Sequence, residues 1–132
     1  MNPGLKVVID THTLIWYLEE SRKLPGSPKS ILHSIDNGEA TGIVPTIVLA
    51  EFIVVFEKGK TRIDPYRLIR RVENETNFEF APLSMGVLRR MGDLAQLELH
   101  DRIIVATALS LDAKLITRDP IIRSSGLVEC IW

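Results

Sequence analysis

Cysteine is almost missing from this sequence: Cys130 is the only one among 132 residues. One thiol cannot close an internal disulfide, and a structural zinc site built on several thiolates is excluded, so any metal must be held by oxygen or histidine. Long apolar runs are missing too. No uncharged stretch reaches the roughly 18 residues of a membrane span, and the opening "MNPGLKVVID" has no basic segment followed by a cleavable apolar one. A cytoplasmic protein is expected. Neither sign of charge is in excess: 16 basic and 17 acidic residues leave a net charge of -1, without the cationic field of a general nucleic-acid binder. Repeats and low-complexity tracts are absent, and the segment "KLPGSPKS" is too short to separate domains. What is present, 45% hydrophobic and 25% charged residues, is the balance of an ordinary folded chain. One domain over residues 1–132 is expected at this length.

Periodicity divides the chain into short apolar strands and longer helices. "LKVVI" reads as a strand over about 5–9, and Leu14, Ile15 and Leu18 then recur at helical spacing. A second helix over about 28–37 ends at Asn37 and Gly38, which suit a left-handed cap. A short strand near "GIVP" leads to "PTIVLAEFIVVFEKGK", a helix with Pro45 ahead of it and a stop near Gly59. In "IDPYRLIRRVENET", Asp64 is placed to cap a helix whose first residue is Pro65. "FEFAP" alternates like a strand, "SMGVLRRMGDLAQ" and "DRIIVATALSLD" read as helices, "AKLIT" as a strand and "LVECIW" as a final extended segment. Strands of this kind separated by helices predict a parallel sheet covered on both faces, with the site on loops at the strands' carboxyl ends. Basic residues cluster at Arg62, Arg67, Arg70 and Arg71 and again at Arg89 and Arg90, as a solvated helix face would.

Four acids stand out. Asp10 directly follows the first strand, and Asp119, in "LITRDP", follows a later one in the same way. Asp101 opens the helix "DRIIVATAL". Each of the three also has a structural reading, as a cap that accepts the orphan amide hydrogens of a helix or turn. Glu51 is harder to explain structurally. It is the only charged residue among the eleven of "TIVLAEFIVVF", and an ionised carboxylate is costly to bury unless it is paired or bound to a metal. The structural alternative for it is a single exposed stripe on that helix. Convergence of all four would raise their pKa values unless a divalent cation compensates. All-oxygen ligation favours Mg²⁺ or Mn²⁺, and such an ion can activate water and offset the charge developing on a phosphodiester under attack.

Taken together, "VVIDTHTLIWYL", "TIVLAEF", "HDRIIVATAL", "LITRD" and the closing "CIW" give the chain, over essentially its whole length, a resemblance to the PIN domain family. More specifically it looks like the VapC-type ribonuclease toxins of type II toxin-antitoxin pairs. The resemblance implies an α/β fold, a three-layer α/β/α domain with a five-stranded parallel sheet. It also implies an Mg²⁺ or Mn²⁺ dependent endoribonuclease site in which Asp10, Glu51, Asp101 and Asp119 match the family's acidic quartet. The acids matching Asp10 and Asp101 typically contact the metal, while those matching Glu51 and Asp119 often act through water. Thr11 and Thr117 match polar positions that orient such a site. His12 and His100 adjoin two of the acids and are candidate RNA contacts, as are Arg102 and Arg118, beside packing or ion-pairing roles for each. A homodimer and a small antitoxin whose C-terminal segment enters the acidic groove are further implications. The helices over 46–56 and 66–75, with Phe52 and Phe56, are the expected dimer surface.

Two other enzyme classes fit less well. An aspartate-nucleophile phosphatase needs a second Asp two residues after the first, where this chain has His12, and a receiver domain needs paired acids near strand one and a lysine after the last strand. The non-enzymatic alternative is a catalytically inactive PIN-like scaffold that binds RNA or protein.

Overall fold

A computed structural model describes residues 4–74 and 77–132. Its centre is β1 (Lys6–Ile9), whose "KVVI" buries Val7, Val8 and Ile9 completely. A strand covered on both faces needs an unbroken apolar run rather than alternation, and β1 supplies one. It pairs in parallel with β2 (Thr41–Pro45) on one side and β4 (Lys114–Ile116) on the other. The edges are β3 (Phe78–Ala81), parallel to β2, and the two-residue β5 (Cys130–Ile131), parallel to β4. Edge strand β3 alternates half-buried Phe78 and Phe80 with exposed Glu79. The resulting order β3-β2-β1-β4-β5 is the expected five-stranded parallel sheet, with helices over both faces in three layers.

Parallel neighbours require crossovers, and seven α-helices among the described residues supply them: α1 (Thr11–Leu18), α2 (Gly26–Asp36), α3 (Thr46–Glu57), α4 (Pro65–Asn74), α5 (Met85–Met91), α6 (Leu99–Ser110) and α7 (Pro120–Ser125). The chain winds outward from β1 to β3, then returns to the other side of β1 with β4. This reversal lies between β1 and β4, where an open parallel sheet leaves a crevice at its carboxyl edge. The two strands are tied there by the Asp10 N–H, which donates to the Ile116 carbonyl at 3.3 Å.

Several helix boundaries follow the residues that set them. Gly38 (φ 78°) and Gly59 (φ 71°) take left-handed backbone just beyond α2 and α3, as their positions predict. Asp64 Oδ1 accepts from the Tyr66 N–H at 2.9 Å at the start of α4, whose expected extension over Glu75 and Thr76 lies outside the described residues. The helix expected over "SMGVLRRMGDLAQ" ends sooner, at Met91, and tightens into a 3-10 turn at Gly92–Leu94. Buried Leu94 and Leu97 are three residues apart, the 3-10 repeat, and the Leu97 N–H bonds the Leu94 carbonyl at 3.0 Å.

Two further expectations change. Helix α6 begins at Leu99, so Asp101 lies inside its first turn instead of opening it. Phe52 is fully buried in the chain's own core and offers nothing to a second subunit; the exposed apolar residues of that region are Val54 and Tyr66. Among the described residues no helix is long and apolar enough to cross a membrane.

Candidate functional site

Each predicted acid reaches the carboxyl edge of the sheet by its own route. Asp10 leaves β1 and caps α1, its Oδ1 accepting from the Thr13 N–H at 3.0 Å. Asp119 follows β4 and caps α7, its Oδ1 accepting from the N–H groups of Ile121 (2.8 Å) and Ile122 (3.3 Å) ahead of Pro120 at the helix start. The capping roles read from the sequence are therefore real for both. They do not compete with a place in the site, because a cap occupies one carboxylate oxygen and itself aims the side chain at the helix N-terminus, the end that faces the crevice.

Glu51 arrives from α3 with 30% of its side chain exposed. It does not float in a solvent stripe. Thr11, itself 5% exposed, donates its hydroxyl to Glu51 Oε1 at 2.9 Å, and His100 Nδ1 lies 3.4 Å from Oε2. Thr117 (1% exposed) supports Asp119 in a similar way, its hydroxyl oxygen accepting from the Asp119 N–H at 3.1 Å. Each threonine thus bonds one of the four acids, Thr11 the carboxylate of Glu51 and Thr117 the backbone of Asp119.

Asp101 comes from the first turn of α6 and is not a cap. Its carboxyl is pushed up from the ordinary 3.8 to about 6, first by burial and then by the negative charges of Asp119, Glu98, Glu51 and Asp10. Asp101 thus feels the charge of the other three predicted acids. All four line one cleft of about 660 Å³ together with Thr11, Thr117, His12 and Arg118.

The cleft also holds residues that the sequence reading missed. Glu98, exposed and just ahead of α6, is a fifth acid; its i,i+3 spacing from Asp101 was the available signal. Lys23 and Trp16 line the opposite rim. The Arg118 guanidinium stands 5.3 Å and the Lys23 ammonium 5.8 Å from the centre of the Trp16 ring, with His12 and Trp132 as further ring neighbours at 5.8 and 6.2 Å. Arg102 is directed elsewhere. Its guanidinium donates to the carbonyls of Ala95 (3.0 Å) and Leu97 (3.1 and 3.3 Å), tying down the loop before α6, and it pairs with no acid among the described residues.

The donor set consists of carboxylates, and the charge it gathers is not neutralised by the two cations on the rim, so it suits a hard, oxygen-preferring divalent ion. Among the described residues no group of three or more His, Cys, Asp or Glu side chains is arranged to hold an ion without adjustment. An ion there would be held by fewer than three of these side chains at once and would keep much of its water.

No curated protein matches the chain. Solved structures do resemble it. VapBC2 from Rickettsia felis, bound to a DNA fragment from its promoter, aligns with a TM-score of 0.67 at 16% identity over 96% of this chain and 97% of that one. A toxin-antitoxin complex from Klebsiella pneumoniae gives 0.66 at 24% identity, covering 92% and 94%. VapBC-1 from nontypeable Haemophilus influenzae gives 0.64 at 20% identity, covering 96% of each. Identities this low speak for the fold alone. The sequence itself goes further, matching the PIN domain model from residue 7 to residue 125, and the chain belongs to the PIN domain family.

Proposed function

We propose that this chain is a Mg²⁺ or Mn²⁺ dependent endoribonuclease, the toxin of a toxin-antitoxin pair that is restrained by a small antitoxin and works as a homodimer. The observation that carries the reading is the convergence of Asp10, Glu51, Asp101 and Asp119 in one cleft, with Asp101 pushed up to about 6 by burial first and by its acidic neighbours second. Carboxylates gathered at such a cost fit a divalent ion better than any structural role. Asp10 and Asp101 would hold the ion directly, with Glu51, Asp119 and Glu98 bearing on it through water. Such an ion, when bound, lowers the pKa of water and offsets charge on a phosphodiester.

The chain's own residues do the rest. The Thr11 hydroxyl fixes one oxygen of Glu51 and His100 lies beside the other, so Glu51 is placed to orient the attacking water and accept its proton at a carboxylate oxygen. The water oxygen bonds to phosphorus, the bond from phosphorus to the 3′ oxygen breaks, and a proton passes to that oxygen. The products are a 5′-phosphate and a 3′-hydroxyl. Arg118 and Lys23, exposed on the rim, meet the neighbouring phosphates that the acids would repel.

The test is incubation of the purified chain, free of any partner, with a labelled RNA pool and Mg²⁺ or Mn²⁺, followed by end-group analysis. Products with 5′-phosphate ends, abolished by EDTA and by Asp101→Asn, are expected. Products with 2′,3′-cyclic ends that survive EDTA would sink the metal-activated mechanism. RNA binding without cleavage under every condition would leave the inactive scaffold as the function.

A further inference from the structure

A second concave surface adjoins the acidic cleft and shares Trp16 with it. It is a hollow of about 500 Å³ between α1, α2 and α4, the size of a site for one small molecule or nucleotide. Its charged residues are two cations, Lys29 and Arg71, and one acid, Glu20, which leaves a net positive charge. Lys29 comes from α2 and Arg71 from α4, both exposed, and His33 stands edge-on to the Tyr17 ring at 5.6 Å. Tyr17 is itself pinned by donating its hydroxyl to Asp36. The ion pair of Lys114 with Glu129 and the contact of His100 with Glu51, the two such contacts among the described residues, involve neither Lys29 nor Arg71, nor Lys23 or Arg118 on the Trp16 rim. On a molecule of net charge -1, two cations on the Trp16 rim of the acidic cleft and two more in the hollow that shares Trp16, none of them ion-paired with a carboxylate among the described residues, are a directed feature.

We propose that these four cations mark the track for single-stranded RNA flanking the scissile phosphate. The inference rests on the ribonuclease reading above and adds a subsite to it. Phosphates next to the cleavage point sit against Lys23 and Arg118, which Trp16 holds in place from below. The strand then turns over Trp16 into the second hollow. One base enters beside His33 and Tyr17, and the following phosphate lies between Lys29 and Arg71. A duplex does not fit this description, because the base must leave its stack to enter the hollow. RNA is a better match than an acidic protein segment because the hollow is continuous with the acidic cleft through Trp16, so a strand cut in the cleft passes directly into it.

The deciding experiment measures binding and needs no cleavage. Fluorescein-labelled single-stranded RNA decamers are titrated against the Asp101→Asn protein and followed by anisotropy at several salt concentrations. Added to that background, Lys29→Ser with Arg71→Ser is expected to weaken binding about tenfold and to lower the salt slope by about 0.7 for each cation removed. Lys58→Ser with Lys60→Ser, exposed residues beyond α3 that line neither hollow, should change nothing. His33→Ala, an exposed position where truncation does not threaten the fold, should weaken binding about fivefold without altering the slope, because a stacked base carries no charge. Equal affinities for all these proteins would overturn the track. So would equal binding of duplex RNA, or displacement of the RNA by an acidic peptide that itself binds more tightly through Lys29 and Arg71. If the track variants lose RNA while the unsubstituted chain cleaves none, the subsite stands and the hydrolytic reading falls.

Discussion

The sheet has a hollow at each end, and the two differ in charge far more than in size. At the carboxyl edge lies the cleft of about 660 Å³, with five carboxylates, Asp10, Glu51, Glu98, Asp101 and Asp119, facing Lys23 and Arg118. At the amino edge lies a hollow of about 550 Å³ whose charged residues, Lys6, Lys114, Asp112 and Glu129, balance two against two. There Lys114 and Glu129 pair at 3.3 Å, an exposed contact worth at most about 1 kcal/mol. Volume does not separate the two hollows; uncompensated charge does. The asymmetry has a physical origin in the parallel sheet. Every crossover brings a helix N-terminus to the carboxyl edge, where orphan N–H groups and the positive end of the dipole favour acids, as Asp10 and Asp119 show. The caps lower the cost of gathering like charge but do not remove it, and Asp101 carries the remainder.

If the carboxyl edge is built for chemistry at the expense of stability, neutralising one acid should separate the two. Asp101→Asn is expected to lower RNA cleavage at least ~10³-fold, comparable to losing a principal catalytic group, while the protein remains folded and melts higher than the unsubstituted chain. A variant that melts lower would show that Asp101 supports the fold. The next largest effect comes from the cation. Mg²⁺ or Mn²⁺ at about a hundred times its dissociation constant should stabilise the unsubstituted chain by about 2.7 kcal/mol, a shift visible in thermal unfolding. The amino edge offers no such site, so Asp10→Asn with Asp101→Asn should abolish the shift entirely. A shift that persists in the double variant would move the ion elsewhere.

The pH dependence sharpens the same contrast. A carboxyl raised from 3.8 to about 6 binds its proton more tightly in the folded chain than in the unfolded one. Its favourable contribution is fully present below about pH 3.8 and is lost as the pH rises through 6. Two units correspond to about 3 kcal/mol, and partial exposure of the carboxylate to solvent reduces this to about 1–2 kcal/mol. Without divalent ions, the Asp101→Asn protein should therefore match the unsubstituted chain near pH 4 and exceed it by that amount near pH 7. Denaturant titrations at the two values check this. An advantage of equal size at both would mean that charge repulsion is not its cause.

How much of this could be read in the sequence depends on the range of the interaction involved. The apolar run of β1, the glycines after α2 and α3, and Asp64 ahead of Pro65 act locally, and their readings hold. Glu51 was legible as an anomaly, a charge in an apolar helix, but its partners Thr11 and His100 lie 40 and 49 residues away and only the fold brings them together. Arg102 illustrates the opposite case. It stands next to Asp101 in the chain and looked like a site residue, yet its guanidinium is taken by the carbonyls of Ala95 and Leu97. The second hollow was illegible for a related reason. Arg71 read as one member of a solvated basic face, and nothing local to α4 says that Lys29 and His33 of α2 lie opposite it. Phe52 misled because helix α3 is apolar almost all round, so its sequence does not say which side the core takes.

The smallest expected effect tests whether the amino edge, despite its balanced charges, carries a local cost at one helix end. Asp112, just past α6, has φ 52°, and the chain closes there with the Ala113 N–H on the Ala108 carbonyl at 2.9 Å and the Asp112 N–H on the Leu109 carbonyl at 3.3 Å. This is a Schellman closure whose left-handed position belongs to glycine. An aspartate there adds backbone strain and also places a negative charge at the negative end of the helix dipole. Asp112→Gly should remove both and stabilise the chain by about 1 kcal/mol, less the greater freedom of glycine in the unfolded state. Asp112→Asn removes only the charge and should recover about half of the gain at low salt and less at high salt. Denaturant midpoints for the two variants separate the causes. If neither raises the midpoint, Asp112 compensates through the lysines across the hollow, and the amino edge, like the carboxyl edge, is held by a balance of charges that no single helix end reveals.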